Sequence, residues 1–247
     1  MEPVENHNFK LKCLPETTPA QKVMALDMKI YPQCDYSTGR DTFGNLMVTG
    51  CMREKHDIFL VSVHGKVQTT GELLADEEVP YYYQYQSEMT RPGENIKRFY
   101  VDNGIDILEN NIENAAGIME KVHNMMTYKQ GVTTLKTTAE EAFGLRQGVC
   151  QDYTHIMLSI LRMKKIPVRY AVGMMAGEGA SHAWVEIWHN GCWYGMDPTN
   201  NCMVNDNYIK ISHGRDYKDC LVERGMFVGK GCQQKLVGVS VVEEQSI

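Results

Sequence analysis

The sequence predicts an α+β fold: an N-terminal β-sandwich-like domain, then a helical stretch, then a closing set of antiparallel strands. Three observations carry this. Residues 8–70 hold short alternating apolar runs separated by Gly, Pro and Asp turns. Residues 95–163 carry apolar positions at helical spacing. Beyond Pro167 the period returns to two and passes through Asn190-Gly191, a strong hairpin signal. With 247 residues, 43% of them hydrophobic, the chain can bury a substantial core.

In chain order, Phe9, Leu11 and Cys13 alternate with Lys10 and Lys12. Met24, Leu26, Met28 and Ile30 line one face of a second run, ended by Tyr31-Pro32. The turn-rich stretch Arg40-Asp41-Thr42-Phe43-Gly44-Asn45 leads into Leu46, Met47 and Val48. Residues 58–63 are apolar on both faces, which predicts a central strand. These runs place the first domain at residues 1–75. Acidic residues at 72 and 76–78 and the cluster Tyr81-Tyr82-Tyr83 mark a connector at 76–95, its rings expected to pack on a neighbouring domain. The core is assigned to 96–233.

Within that core, Ile96, Phe99, Tyr100, Ile107 and Leu108 form a stripe weakened by Gly104. A second helix is predicted over 115–128, and a short one near 137–143. There Thr137 with Glu140, or Thr138 with Glu141, has capping-box spacing. From Cys150 the apolar positions Ile156, Leu158, Ile160, Leu161 and Met163 predict one buried helix, stopped before Pro167.

Composition removes several function classes. A net charge of -6 gives no general attraction to nucleic acid or to an anionic membrane, and no stretch has the length of an apolar span. The start Met1-Glu2-Pro3-Val4-Glu5-Asn6 is acidic and polar, unlike a secretory signal, which favours a cytoplasmic location. Cysteines at 13, 34, 51, 150, 192, 202, 220 and 232 are scattered and form no C-x-x-C pair. Reduced thiols are therefore expected, with no metal site and no cofactor.

One of these thiols has a distinctive setting. In Gly148-Val149-Cys150-Gln151-Asp152-Tyr153-Thr154-His155 the cysteine opens a helix, where free backbone donors and partial positive charge favour a thiolate. Its own amide is placed to donate to a developing oxyanion. Alone, such a cysteine is most often ordinary core. Downstream, His182 begins a strand and Asp197 ends the return strand of the Asn190-Gly191 hairpin, near the same edge. Thiol, imidazole and carboxylate in that placement form a nucleophile with its base and its orienting acid. Gln147 and Gln151 are the nearest candidates for a second oxyanion donor, although spacing assigns neither. Asp152 reads as a first-turn cap, and Trp184 shares the His182 face by the period of two. Arg215 and Asp216 read either as a loop-pinning pair or as substrate contacts.

Together with Ser181-His182-Ala183-Trp184-Val185-Glu186 and Trp193-Tyr194-Gly195-Met196-Asp197-Pro198-Thr199, the cysteine stretch resembles the core of the transglutaminase-like superfamily. Two further stretches resemble its bacterial cysteine-protease branch: His213-Gly214-Arg215-Asp216-Tyr217-Lys218-Asp219 and Asp41-Thr42-Phe43-Gly44-Asn45. The resemblance implies a papain-like core with the cysteine helix packed on an antiparallel sheet, and a strand within 234–244 that returns to the first domain. It implies Cys150 as nucleophile, His182 as general base and acid, and Asp197 as its orienting residue. The implied chemistry is cofactor-free acyl transfer through a thioester, most simply by a peptidase or amidase acting on a peptide, protein or small amide. A transglutaminase or deamidase, the former with an amine acceptor, and a non-catalytic scaffold are the alternatives. Neither nucleic acid nor membrane is an implied partner.

Overall fold

The structure, a computed structural model, describes residues 2–76, 78–230 and 234–244. The chain opens with five strands: β1 (Glu5–Leu11), β2 (Gln21–Tyr31), β3 (Tyr36–Arg40), β4 (Leu46–Met52) and β5 (Leu60–Thr69). β1, β4 and β3 pair in an antiparallel sheet, and β2 pairs with β5 in a separate ribbon. Phe9, Leu11, Leu14 and Val48 fill the space between them, met by Met28, Ile30, Phe59, Val61 and Val63 from the ribbon. Two layers enclosing one apolar core is the sandwich-like arrangement anticipated.

The expectation of a central strand at 58–63 is corrected. Among the described residues β5 pairs with β2 alone, and Ile58 and Leu60 are exposed. Phe59, Val61 and Val63 occupy the core face while Ile58 and Leu60 meet solvent, so this is a one-sided strand.

Next come the two-residue β6 (Leu74–Ala75), α1 (Glu94–Asp102), α2 (Ile112–Met125) and β7 (Thr127–Tyr128). Then follow α3 (Ala139–Leu145), β8 (Gln147–Gly148) and α4 (Cys150–Met163). Gly104, at φ 60°, ends the first helical stripe, and Ile107 beyond it is exposed. Asn111 caps α2 by accepting from the Asn114 amide at 2.8 Å. Thr138 and Glu141 make the reciprocal capping box of α3. α4 is buried along nearly all of its length, because α1, α2 and α3 cover one side and a sheet covers the other.

That sheet is built from β9 (Val168–Met175), β11 (His182–His189), β12 (Cys192–Asp197), β13 (Cys202–Met203) and β14 (Tyr208–Gly214), all antiparallel. The order is β13-β12-β11-β9-β14, with β6 also paired to β12. Asn190 and Gly191 turn the β11–β12 hairpin with both φ positive, at 48° and 83°. Val168, Tyr170, Val172, Ala183, Val185, Ile187 and Met196 face α4 and complete the larger core.

The three-residue β10 (Gly177–Gly179) stands just before β11. The closing strands differ from the expectation. β15 (Glu223–Val228) adds to β1, so it is this segment that returns to the first sheet. Within 234–244, β16 (Val239–Val241) pairs with β10 instead.

Two side-chain amides clamp the first domain onto β14. Gln21 donates to the Lys210 carbonyl and accepts from its amide, both at 2.8 Å. Asn45 does the same to His213, at 2.7 and 2.8 Å. Asp41 accepts from the Phe43 and Asn45 amides and from Asn45 Nδ2, each at 2.9 Å, while Lys12 faces it at 2.5 Å. The Asp41–Asn45 stretch is therefore a turn that aims one amide at β14. Across the connector, Tyr83 is buried edge-on against Trp193, with centroids 5.6 Å apart.

Candidate active site

Cys150 is the first residue of α4, so its amide has no acceptor within the helix. Asp152, two residues later, accepts from the Val149 amide and from the Thr133 hydroxyl, both at 2.7 Å, and fixes the turn that presents the thiol. Gly148 is required there: a Cβ on it would sit 2.4 Å from an Asp152 oxygen. Burial pushes the Asp152 carboxyl upward against these two donors. Asp152 thus serves the loop, the structural part read for it from sequence.

The imidazole of His182, at the start of β11, hydrogen-bonds through Nε2 to Asp197 Oδ2 at 2.7 Å. With Nε2 engaged by Asp197, Nδ1 is the ring nitrogen left free to face a thiol. Burial lowers the His182 pKa, but the Asp197 carboxylate and the Cys150 sulfur outweigh it and raise the pKa to about 10. Asp197 is fully buried. Burial raises its pKa, and His182, Tyr208 and Asn200 together pull it below the ordinary value.

The donors around Asp197 are numerous. Tyr208 hydroxyl and Asn200 Nδ2 reach Oδ2 at 2.8 and 2.7 Å. The amides of Thr199 and Asn200 reach Oδ1 at 2.8 and 3.2 Å. Neither Tyr208 nor Asn200 was singled out from sequence. Asn200 lies three residues after Asp197 in the same turn, whereas Tyr208 arrives across the sheet from β14. Trp184 packs behind Tyr208 with centroids 5.5 Å apart, and its indole N–H is buried without a partner among the described residues. Gln147 is half-buried on β8, and Gln151 is buried on α4. Neither is seen bonded to the thiol or to the imidazole.

Two known families match this chain: the one described as the transglutaminase-like superfamily over residues 100–198, and the bacterial transglutaminase-like N-terminal region over residues 1–68. The chain belongs to the transglutaminase-like superfamily. An uncharacterized protein of Mycobacterium leprae (strain TN) is 34% identical over 126 residues, a match spanning 47% of this chain and only 45% of that protein. An uncharacterized protein of Mycobacterium bovis (strain ATCC BAA-935 / AF2122/97) is 27% identical over 270 residues, covering 92% of this chain and 83% of the relative. A crystal structure of a candidate cysteine protease from Cytophaga hutchinsonii shares the fold with a TM-score of 0.79 at 21% identity, covering 99% of this chain and 90% of that one.

Two solved structures of the periplasmic domain of TgpA from Pseudomonas aeruginosa are similar to this chain, with TM-scores of 0.42 and 0.43, identities of 14% and 13%, coverage of 80% and 81% of this chain and of 90% and 93% of theirs. The cytoplasmic location expected from the acidic start of the chain is withdrawn. An acidic first segment does not fix a compartment, which was the only support for that expectation. No described helix is long and apolar enough to cross a membrane.

Elsewhere in the superfamily core, Arg215 and Asp216 do not pair with one another. Arg215 binds Asp219 with Nε–Oδ2 at 2.8 Å, and Asp216 caps a short 3-10 turn by accepting from the Lys218 amide at 2.8 Å. Both pin the loop. His155 is wholly buried in α4 and accepts from the Tyr217 amide at 3.2 Å. Burial first, and Arg162 second, lower its pKa to about 3, so this imidazole is neutral. Arg162, also buried, donates to the carbonyls of Tyr83, Val168 and Arg215 and to the Thr90 hydroxyl, tying α4 to the connector. The described cysteines are all free thiols, and Cys232 lies outside the described residues.

Proposed function

We propose that this protein is a thiol hydrolase that cleaves amide bonds through a thioester, a peptidase or amidase. The observation that supports it best is the His182 imidazole, held to Asp197 at 2.7 Å and raised to a pKa of about 10 in the company of Cys150. An imidazole oriented by a carboxylate is the base that activates a thiol as nucleophile.

In this reading Cys150 Sγ attacks the amide carbonyl carbon, and the new oxyanion accepts from the free Cys150 amide. His182 then delivers its proton to the leaving amine, which departs as the carbonyl re-forms in a thioester. Water, deprotonated by the now neutral His182, attacks the thioester and releases the acid and the thiolate. Asp197 holds the tautomer and orientation of the ring throughout. Gln147 and Gln151 remain candidates for a second oxyanion donor.

Mass spectrometry of a peptide panel, with and without an added primary amine, tests this. Fragment pairs that carry water at the new carboxyl terminus, lost on Cys150→Ala, are the expected result. Loss of ammonia from intact peptides would reassign the activity to deamidation, and gain of the amine would reassign it to transglutamination. Absence of turnover, together with no labelling of Cys150 by iodoacetamide, would favour the scaffold reading.

A further inference from the structure

The last turn of α2 meets the turn after Asp197 at His123. The ring Nδ1 lies 3.3 Å from the Pro198 carbonyl oxygen and 3.1 Å from that of Thr199. A carbonyl oxygen only accepts, so Nδ1 carries the proton and donates to both, whether the ring is neutral or charged. His123 is half-buried, and Val122 beside it belongs to the core that packs α4.

These two carbonyls belong to the peptide units whose other ends hold the buried carboxylate. A trans peptide directs its C=O and its N–H to opposite sides. The Pro198–Thr199 unit gives its carbonyl to His123 and its N–H to Asp197 Oδ1 at 2.8 Å. The Thr199–Asn200 unit does the same, with its N–H at 3.2 Å. Each unit is gripped at both ends, and donation to a carbonyl strengthens the N–H on its far side. Without the imidazole, either plane can turn and draw its N–H off the carboxylate.

The same stretch of chain also reaches the thiol. Beyond His123, β7 starts at Thr127 and runs parallel to β8, just ahead of Cys150. The Thr127 amide donates to the Arg146 carbonyl at 2.9 Å, and the Lys129 amide to the Gly148 carbonyl at 2.8 Å. Residues 123–129 therefore brace both halves of the site: the loop that presents Cys150 and the turn that secures Asp197.

We propose that His123 is a positioning residue of this site, its ring N–H holding the two peptide units that orient Asp197. It acts through Asp197 and His182 rather than on the substrate. Its effect on rate rests on the thiol-hydrolase reading above, whereas its effect on the turn does not.

The test compares the full chain with two variants. His123→Leu keeps the branch and loses the donor, and His123→Asn places an amide nitrogen near the position of Nδ1. Amide exchange read by NMR is expected to be about tenfold faster at Thr199 and Asn200 in His123→Leu, unchanged at Leu158 and Ile160 of α4, and restored in His123→Asn. For peptide hydrolysis by His123→Leu, kcat is expected to fall about tenfold with KM within about twofold of wild type. The acid limb of its kcat/KM profile should move to higher pH as Asp197 loses donors. Wild-type exchange at Thr199 and Asn200, equal loosening of α4, unchanged kcat, or no rescue by asparagine would overturn the proposal. Exchange differences as expected in a chain that cleaves no peptide would uphold the His123 link and overturn the hydrolase reading. On wild type labelled with ¹⁵N-histidine, a proton-free His123 Nδ1 at pH 8 would also overturn the proposal, even should His123→Leu fail to fold.

Discussion

Strand β11 carries two buried ionic clusters only four residues apart, and they are built on different principles. At its start, His182 and Asp197 are surrounded by neutral donors: Tyr208, Asn200 and two backbone amides. At its middle, Glu186 is clamped by two cationic side chains, Arg169 Nε at 2.5 Å and Lys210 Nζ at 2.6 Å, with Arg169 also lying 3.8 Å over the Trp193 ring. Burial opposes the charge on Glu186, and the two cations overcome it, holding the carboxyl well below its ordinary range. Both clusters contain a buried carboxylate. Only the first adjoins the Cys150 thiol. A strand can thus carry a charge for structure and another for chemistry, and the partner decides which.

Substitutions at the two carboxylates separate these roles most sharply. Asp197→Asn keeps the shape but removes the charge that fixes the His182 tautomer. Peptide hydrolysis is expected to fall by about 10³-fold or more, measured as kcat/KM. Its urea midpoint is expected to move much less than that of Glu186→Ala, which leaves Arg169 and Lys210 buried without their anion and is expected to lose about 3–5 kcal/mol. Should Glu186→Ala unfold at the wild-type midpoint, the structural role assigned to the middle cluster is wrong.

The pH response sharpens the contrast. Because the folded pKa of His182 is raised to about 10, the stability gained from its protonation is fully present below its unfolded value, ~6.5. That gain disappears as pH rises through about 10. Glu186 has the opposite sign: its contribution is present above the unfolded value of ~4.3 and is lost only as pH falls below it. The stability gap between wild type and His182→Ala is therefore expected to narrow from pH 6.5 to 10. The gap for Glu186→Ala should narrow in acid, and again in alkali as Lys210, lowered by burial to about 8, gives up its proton. Parallel urea titrations across this span measure both.

A smaller effect is expected at Tyr208. Its hydroxyl donates to Asp197 at 2.8 Å, and Tyr208→Phe removes one of five donors, worth about 1.5–3 kcal/mol for a bond to a charged group. With the donor gone, the Asp197 pKa rises, so the acid limb of the kcat/KM profile should move to higher pH while the fold persists. An unmoved acid limb would make Tyr208 mere packing.

The reach of the sequence follows the range of the contacts. Cys150, His182 and Asp197 were readable because a helix start, a strand start and a hairpin end are local features, and the hairpin itself brings His182 to Asp197. The capping box at Thr138 and the turn at Asp41 were readable for the same reason. Tyr208 was not, since its contact depends on β14 crossing beside β9 rather than on any local pattern. The pairing of β15 with β1 and of β16 with β10 was equally hidden: a short apolar strand carries no mark of its partner. The outward side chains of β5 misled in the reverse way, because an apolar residue at the surface is common and reads like a buried one.

The smallest effect is expected at the loop that resembled a recognition element. Arg215 is half-exposed and holds Asp219 at 2.8 Å, four residues along the same loop, while its carbonyl accepts from the buried Arg162 at 2.7 Å. The carbonyl contact survives any side-chain change. Arg215→Ala therefore removes a solvent-screened ion pair and a guanidinium lying 5.8 Å over the Phe43 ring, and a loss of about 1 kcal/mol is expected from urea titration. KM for a peptide substrate should stay within about twofold of wild type. A tenfold rise in KM at unchanged stability would instead place the guanidinium on the substrate, and would move the boundary between structural and chemical charges from β11 out to this loop.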